Sequence, residues 1–195
     1  MRLFVALALP RSIRTRLSFL AGGIPGLRWV PPENYHVTLR FIGELPLWRA
    51  EEVDQALANI RAPAFPLQLA GVGIFEKAGK TSSLWIGVDR SPALDHLQAK
   101  IETALTRAGC EPERRRFNPH ITMARLDKAT GARVAGWVQS HNLFRSEVIE
   151  VEHFTLFSSL LGKQQAAYEP EAEYPLAGAM GEVGAGAPEE ARGWG

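Results

Sequence analysis

A chain of 195 residues, 46% of them apolar, with a formal charge of +1, can build one domain or two small lobes around a true core. That charge excludes a globally basic nucleic-acid binder, so any cationic surface must be local. No stretch approaches the roughly 20 apolar residues that span a bilayer, and the N-terminus opens on an apolar run rather than on a charged segment followed by a cleavable block. A cytoplasmic protein without membrane contact is expected. The single cysteine, Cys110, rules out an internal disulfide framework and a cysteine-rich zinc site. Its place behind Gly109, after a helical pattern, predicts a packing role.

Leu3 to Leu9 reads as a buried strand ended by Pro10. Ile13, Leu17 and Leu20 recur at helical spacing until Gly22-Gly23. Trp29-Val30-Pro31-Pro32 leads into a second strand, Tyr35 to Ile42. Glu51 and Glu52 are expected to open a helix with Val53, Leu57 and Ile60 inward, followed by a third strand from Phe65 to Phe75. The order then repeats. Leu84 to Val88 is a strand. Ser91 can cap a helix that Pro92 starts, with Leu94, Leu97, Ile101, Ala104 and Ala108 as its apolar stripe and Gly109 as its end. Phe117-Asn118-Pro119 leads into His120-Ile121-Thr122-Met123, and a weaker helix covers about 132–140. Glu147 to Ser158 is predicted as one long strand, paired with Tyr168 to Leu176 as a hairpin. From about Gly178 the composition turns to Gly, Ala and Glu without periodicity, which predicts a disordered tail over 178–195. The folded domain is thus expected over 1–177.

Each half reads strand–helix–strand–helix–strand, and each carries His-x-Thr at the same place in that order. A duplication this long predicts two fused lobes related by a pseudo-twofold axis rather than a stacked array. On a strand, residues i and i+2 share a face. His36 and Thr38 therefore point one way while Val37 and Leu39 anchor the strand; His120 and Thr122 do the same above Ile121 and Met123. Two histidines facing one phosphorus can divide the work, since imidazole titrates near neutrality. The neutral ring takes a proton from water and the charged ring gives one to the leaving alkoxide, each role contributing about 10²–10⁴-fold. The threonine hydroxyls can stabilise non-bridging oxygens. A strained cyclic phosphate suits such chemistry without a metal or any other cofactor. Zinc wants three or four protein ligands, and His96, His141 and His153 have no paired spacing. No phosphate loop of the GxxxxGK[ST] kind is present.

With these motifs in place the sequence resembles the 2H phosphoesterases, and within them the LigT-type RNA 2′,3′-cyclic phosphodiesterases, historically called 2′-5′ RNA ligases. The resemblance covers about Met1 to Leu176. It rests on Met1-Arg2-Leu3-Phe4-Val5-Ala6-Leu7, on Leu27 to Asn34, on His36 to Glu44, on Pro119 to Arg125 and on Phe154 to Ser159. It implies an α+β fold of two pseudo-symmetric lobes, each an antiparallel sheet with helices on its outer side, around a central cleft. It implies hydrolysis of a 2′,3′-cyclic phosphate at an RNA 3′ end to a 2′-phosphate, with His36 as proton donor to the leaving 3′ oxygen and His120 as the base that activates water. The motifs are too symmetric to assign these roles by themselves. Met123 stands where Leu is more usual, a tolerable core exchange.

Around the motifs, Arg40 is expected to share the cleft face of Thr38 by alternation. Arg125, five residues beyond His120, would point away unless a bulge turns it, and the resemblance implies a functional arginine there. Arg114-Arg115-Arg116 could steer phosphates. Phe41, Phe75 and Trp85 could stack on a base, although their strand context favours core packing. The expected partner is RNA bearing a 2′,3′-cyclic phosphate, and the protein is expected to act as a monomer. Three other readings stay open: a phosphodiesterase of 2′-5′ oligonucleotides or small cyclic nucleotide phosphates, a 2′-5′ ligase side activity, and a silent RNA-end-binding module.

Overall fold

The computed structural model describes residues 1–77, 80–126, 131–161 and 166–178; the predicted tail thus lies, but for Gly178, outside the described residues. In chain order the elements are β1 (Arg2–Ala8), α1 (Arg11–Ser18), β2 (Leu27–Trp29), a 3₁₀ turn (Pro32–Asn34), β3 (His36–Glu44), α2 (Leu47–Ala58), β4 (Phe65–Lys77), β5 (Lys80–Val88), α3 (Pro92–Arg107), β6 (His120–Leu126), α4 (Gly131–His141), β7 (Arg145–Val151), β8 (His153–Leu161) and β9 (Ala166–Pro175). Local chemistry accounts for most boundaries. The Ser91 hydroxyl accepts from the Leu94 amide at 3.2 Å, with Pro92 in the first turn of α3. Gly109 follows the end of α3 with φ +82°, a conformation only glycine adopts freely. α2 begins at Leu47, a turn before the predicted start at Glu51, because Pro46 supplies the extended backbone that precedes the helix.

Two antiparallel sheets result, with strand orders β3-β1-β8-β9 and β2-β6-β5-β4-β7. The orders match position by position: a His-x-Thr strand (β3 or β6), a central strand (β1 or β5), then a strand from the other half of the chain (β8 or β4), then an edge strand (β9 or β7). β2 is an addition on the β6 side. The pseudo-symmetric two-lobed α+β fold is therefore present, but a lobe is not a contiguous half of the sequence, since β4 and β8 have changed sheets. The predicted single strand from Glu147 to Ser158 is corrected accordingly. It is two strands, broken at Glu152, one in each sheet.

The helices cover the faces of the sheets that turn away from the cleft. Tyr174 of β9 donates to Asp54 of α2 at 2.6 Å, and Arg40 of β3 pairs with Glu102 of α3, so α2 and α3 back the first sheet. The Trp137 indole of α4 donates to the Leu20 carbonyl at 2.9 Å, and Arg16 of α1 pairs with Glu147 of β7, so α1 and α4 back the second. One continuous apolar core joins both layers, from Val5, Leu7 and Val37 through Leu57, Leu69 and Ile86 to Leu97, Ile101 and Ile121, all almost fully buried. Each such side chain contributes about 1.5–3 kcal/mol by leaving water. Cys110 packs at its margin, as expected.

Candidate active site

The polar face of each sheet opens onto one cleft of about 750 Å³, and His36, Thr38, His120 and Thr122 all line it. β3 and β6 present them. Val37, Leu39, Ile121 and Met123 point into the core and are at most 3% exposed, so alternation sends the histidines and threonines the other way. Each imidazole is anchored from behind. His36 Nδ1 donates to the Asn34 carbonyl at 2.7 Å, and His120 Nδ1 donates to the Asn118 carbonyl at 2.7 Å. A carbonyl oxygen can only accept, so Nδ1 carries the proton in both rings, and the neutral form leaves Nε2 bare. Thr38 Oγ1 lies 3.0 Å from His36 Nε2. Burial holds the His36 ring well below the usual imidazole range, at about 4, with the Asn34 carbonyl opposing and with His120 and Arg125 lowering it further. Burial also lowers His120, opposed by the Asn118 carbonyl.

Both His-x-Thr strands carry a bulge at the same point. Opposite β1, the register passes from Thr38 to Arg40 across a single step; opposite β5, it passes from Thr122 to Ala124. The extra residue reverses the alternation. In β6, Met123 and Ala124 are both buried and Arg125 emerges on the cleft face. In β3, Leu39 and Arg40 are both buried and Phe41, 51% exposed, emerges on the cleft face. The expectation for Arg40 is thereby corrected: it faces away from the cleft, where it pairs with Glu102 and donates to the Phe41 and Glu111 carbonyls. Arg125 and Phe41 thus occupy equivalent positions in the two lobes, a cation in one and an aromatic ring in the other.

The aromatic groups differ between lobes as well. Phe4, 5.0 Å from His36 and 6.0 Å from Phe41 between ring centroids, bridges those two rings, and Tyr168 of β9 meets His36 edge-on at 5.2 Å. Phe4, Phe41 and Tyr168 all line the cleft. Phe75 meets the His120 ring edge-on at 4.7 Å but does not line the cleft, so it backs the imidazole. Trp85 lies flat against Gly73, where an added Cβ would come within 2.3 Å of the indole. Four arginines line the cleft, Arg2, Arg28, Arg115 and Arg125, and no carboxylate does among the described residues. Of the run Arg114-Arg115-Arg116, only Arg115 reaches it.

This arrangement can be set beside known proteins. Residues 19–163 match the profile of the 2′-5′ RNA ligase superfamily. The chain belongs to that superfamily. An RNA 2′,3′-cyclic phosphodiesterase of Archaeoglobus fulgidus is 30% identical over 172 residues, spanning 87% of this chain and 97% of that one. One of Aeropyrum pernix is 38% identical over 120 residues, 61% of this chain and 68% of that one. The crystal structure of Escherichia coli LigT with 3′-AMP shares the fold with a TM-score of 0.73 at 26% identity, covering 90% of this chain and 98% of that one. The protein is accordingly a 2H phosphoesterase of the LigT type. Its remaining histidines stand apart from the cleft. His141 Nδ1 donates to the Trp137 carbonyl at 2.8 Å, His153 lies 3.8 Å from Glu173, and His96 sits in a groove beside α2. Among the described residues no three His, Cys, Asp or Glu side chains converge to hold a metal ion, and no helix is long and apolar enough to cross a membrane.

Sequence reasoning passed over Tyr168, Phe4 and the carbonyls of Asn34 and Asn118. For the last pair a signal was available: Asn stands two residues before each histidine, so the repeated unit is Asn-x-His-x-Thr rather than His-x-Thr.

Proposed function

We propose that this 2H phosphoesterase opens 2′,3′-cyclic phosphates at RNA 3′ ends to 2′-phosphomonoesters, by proton transfer between two histidines and without a metal. The observation that carries the reading is the pair of imidazoles in one cleft, each fixed in the same tautomer by its Nδ1 bond, with Nε2 left to exchange protons, that of His36 beside Thr38 Oγ1. Water adds its oxygen to phosphorus as the P–O3′ bond breaks. Its proton passes to His120 Nε2, and a proton from His36 Nε2 goes to the departing O3′. Thr38, Thr122 and Arg125 donate to the non-bridging oxygens, whose charge grows in the transition state.

The asymmetry of the lobes supports this division of roles. The leaving O3′ is attached to the nucleoside, and the nucleoside needs an apolar, stacking wall. Phe4 and Tyr168 pack on His36 and Phe41 packs on Phe4, all three lining the cleft; the rings beside His120, Phe75 and Trp85, do not line it, and the place equivalent to Phe41 holds Arg125. The nucleoside then lies against the first sheet with O3′ at His36, and the water approaches in line from His120. The names of the relatives, RNA 2′,3′-cyclic phosphodiesterases, agree with the substrate.

The test is to incubate the protein, treated with EDTA, with an RNA ending in 2′,3′-cyclic phosphate and to identify the product by mass spectrometry and nuclease sensitivity. A 2′-phosphate is expected. A 3′-phosphate would reverse the regiochemistry, activity restored only by added metal would remove the metal-free step, and binding without turnover would reduce the protein to an RNA-end-binding module.

A further inference from the structure

The cleft does not end at the histidines. Along β1, Ala8 lies opposite His36 and Arg2 lies opposite Glu44. Phe4, whose ring centroid is 5.0 Å from that of His36, lies two residues from Arg2, about 6.6 Å along the strand at roughly 3.3 Å per residue, so the cleft floor runs on past the reacting position to Arg2. Phe4 and Phe41 pair on the way, and Arg2, Leu3 and Gly43 line the far end. A nucleoside 2′,3′-cyclic phosphate whose phosphorus sits between His36 and His120 has no phosphate on its 5′ side. The far end of the cleft, which holds the cation Arg2, would then meet no anion. The Arg2 side chain is exposed and makes no ion pair or hydrogen bond among the described residues. Arg16, Arg40, Arg90 and Arg145, by contrast, are each held by a carboxylate. Guanidinium is suited to phosphate by its planar fork of donors.

We propose that the cleft takes the 3′ end of an RNA strand rather than a free cyclic mononucleotide, with the strand running from the histidines past Phe41 to Arg2, which binds a phosphate on the 5′ side of the terminal nucleotide. The inference rests on the function proposed above but concerns a different part of the cleft. It makes Arg2 a residue that selects for substrate length. It also separates the RNA-end reading from hydrolysis of small cyclic nucleotide phosphates.

The test compares a trinucleotide ending in 2′,3′-cyclic phosphate with the corresponding nucleoside 2′,3′-cyclic phosphate. For the wild type, kcat/KM should favour the trinucleotide at least tenfold. Arg2→Ala should reduce that preference about tenfold, mainly through KM, and Arg2→Lys should restore part of it. The salt dependence of trinucleotide binding should weaken by close to 0.7 in the slope of log K against log salt, the value for losing one single-strand phosphate contact. No preference for the trinucleotide in the wild type, or an unaltered preference in Arg2→Ala, would overturn the proposal. So would equal losses on both substrates, which would mark Arg2 as structural. If neither substrate turns over, the catalytic reading fails by itself. Equilibrium binding of the same two ligands to the wild type and Arg2→Ala then still decides the length proposal.

Discussion

His36 and His120 have the same hydrogen bond behind them and, in the proposed reaction, opposite tasks in front. Both are lowered by burial, His36 to about 4, so in the empty cleft both are neutral at pH 7, one proton short of the state the reaction needs. A bound phosphodiester anion supplies the missing electrostatic term, because a negative charge beside an imidazole favours its protonated form. The pH profile of kcat/KM reports the free enzyme and that of kcat the complex. Both profiles should be bell-shaped, the first with its optimum between about pH 4 and 6.5 and the second displaced upward. Coincident profiles would show that the substrate does not recharge His36. The same shift links to stability. Between the unfolded value near 6.5 and the folded value of about 4, the unfolded chain binds more protons, so stability falls as pH drops through that window. His36→Asn should flatten this part of a Tm-against-pH curve. Roles are separable through the leaving group: an acid matters only while the departing alkoxide is strongly basic. With a nitrophenyl ester, His36→Ala should recover much of its rate and His120→Ala should stay slow; the reverse pattern would exchange the two assignments.

The bulges decide which arginine faces the cleft. Arg40 and Arg125 look alike in the sequence, each a few residues beyond a His-x-Thr, yet an extra residue after Thr38 and after Thr122 inverts the face of all that follows. Truncating each should therefore give opposite signatures. Arg125→Ala should lower kcat/KM by roughly 10²-fold or more, the scale of one lost donor to a developing oxyanion, with little change in Tm. Arg40→Ala leaves Glu102 partly buried and unpaired, at a cost of about 2–3 kcal/mol, which for a chain of this size lowers Tm by roughly 5–10 °C. Kinetic loss confined to Arg40→Ala would mean that the geometry of β3 had been misread. A bulge of this kind has no residue signature here: Leu39-Arg40 and Met123-Ala124 read as ordinary strand. This is why alternation placed the motif side chains correctly and then failed two residues later. The His-x-Thr faces, the Ser91 cap and Leu94, Leu97 and Ile101 of the α3 stripe were legible because each depends on neighbours within a turn or a strand, although the helix buries Leu105 in place of the expected Ala104 and Ala108. Tyr168 was not, because its importance comes from packing against His36, 132 positions away in the chain.

Pairing between strands is set by the whole chain, and it was the least legible level. The repeat in the sequence suggested two lobes folded one after the other, whereas β4 and β8 each complete the sheet built around the other half's His-x-Thr strand. This exchange has a consequence for folding. A fragment ending at Lys77 contains the β1–β3 pair, but its β2 and β4 have lost every strand they bond to, namely β6, β5 and β7. A fragment starting at Lys80 contains the β5–β6 and β8–β9 pairs, but β8 has lost β1 and β7 has lost β4. The single core that runs through both layers is opened in each, exposing apolar surface and unpaired strand edges. Neither fragment should fold alone: each should lack dispersed amide resonances and a cooperative thermal transition. Expressed together, the two should associate one to one and regain cyclic phosphodiesterase activity, because the cut falls between β4 and β5 and leaves every strand intact. The uncut chain should melt in one transition, with equal calorimetric and van't Hoff enthalpies. A fragment from Lys80 that melted cooperatively by itself would show that the second sheet is stable without β4, and that the strand exchange only decorates two independent lobes.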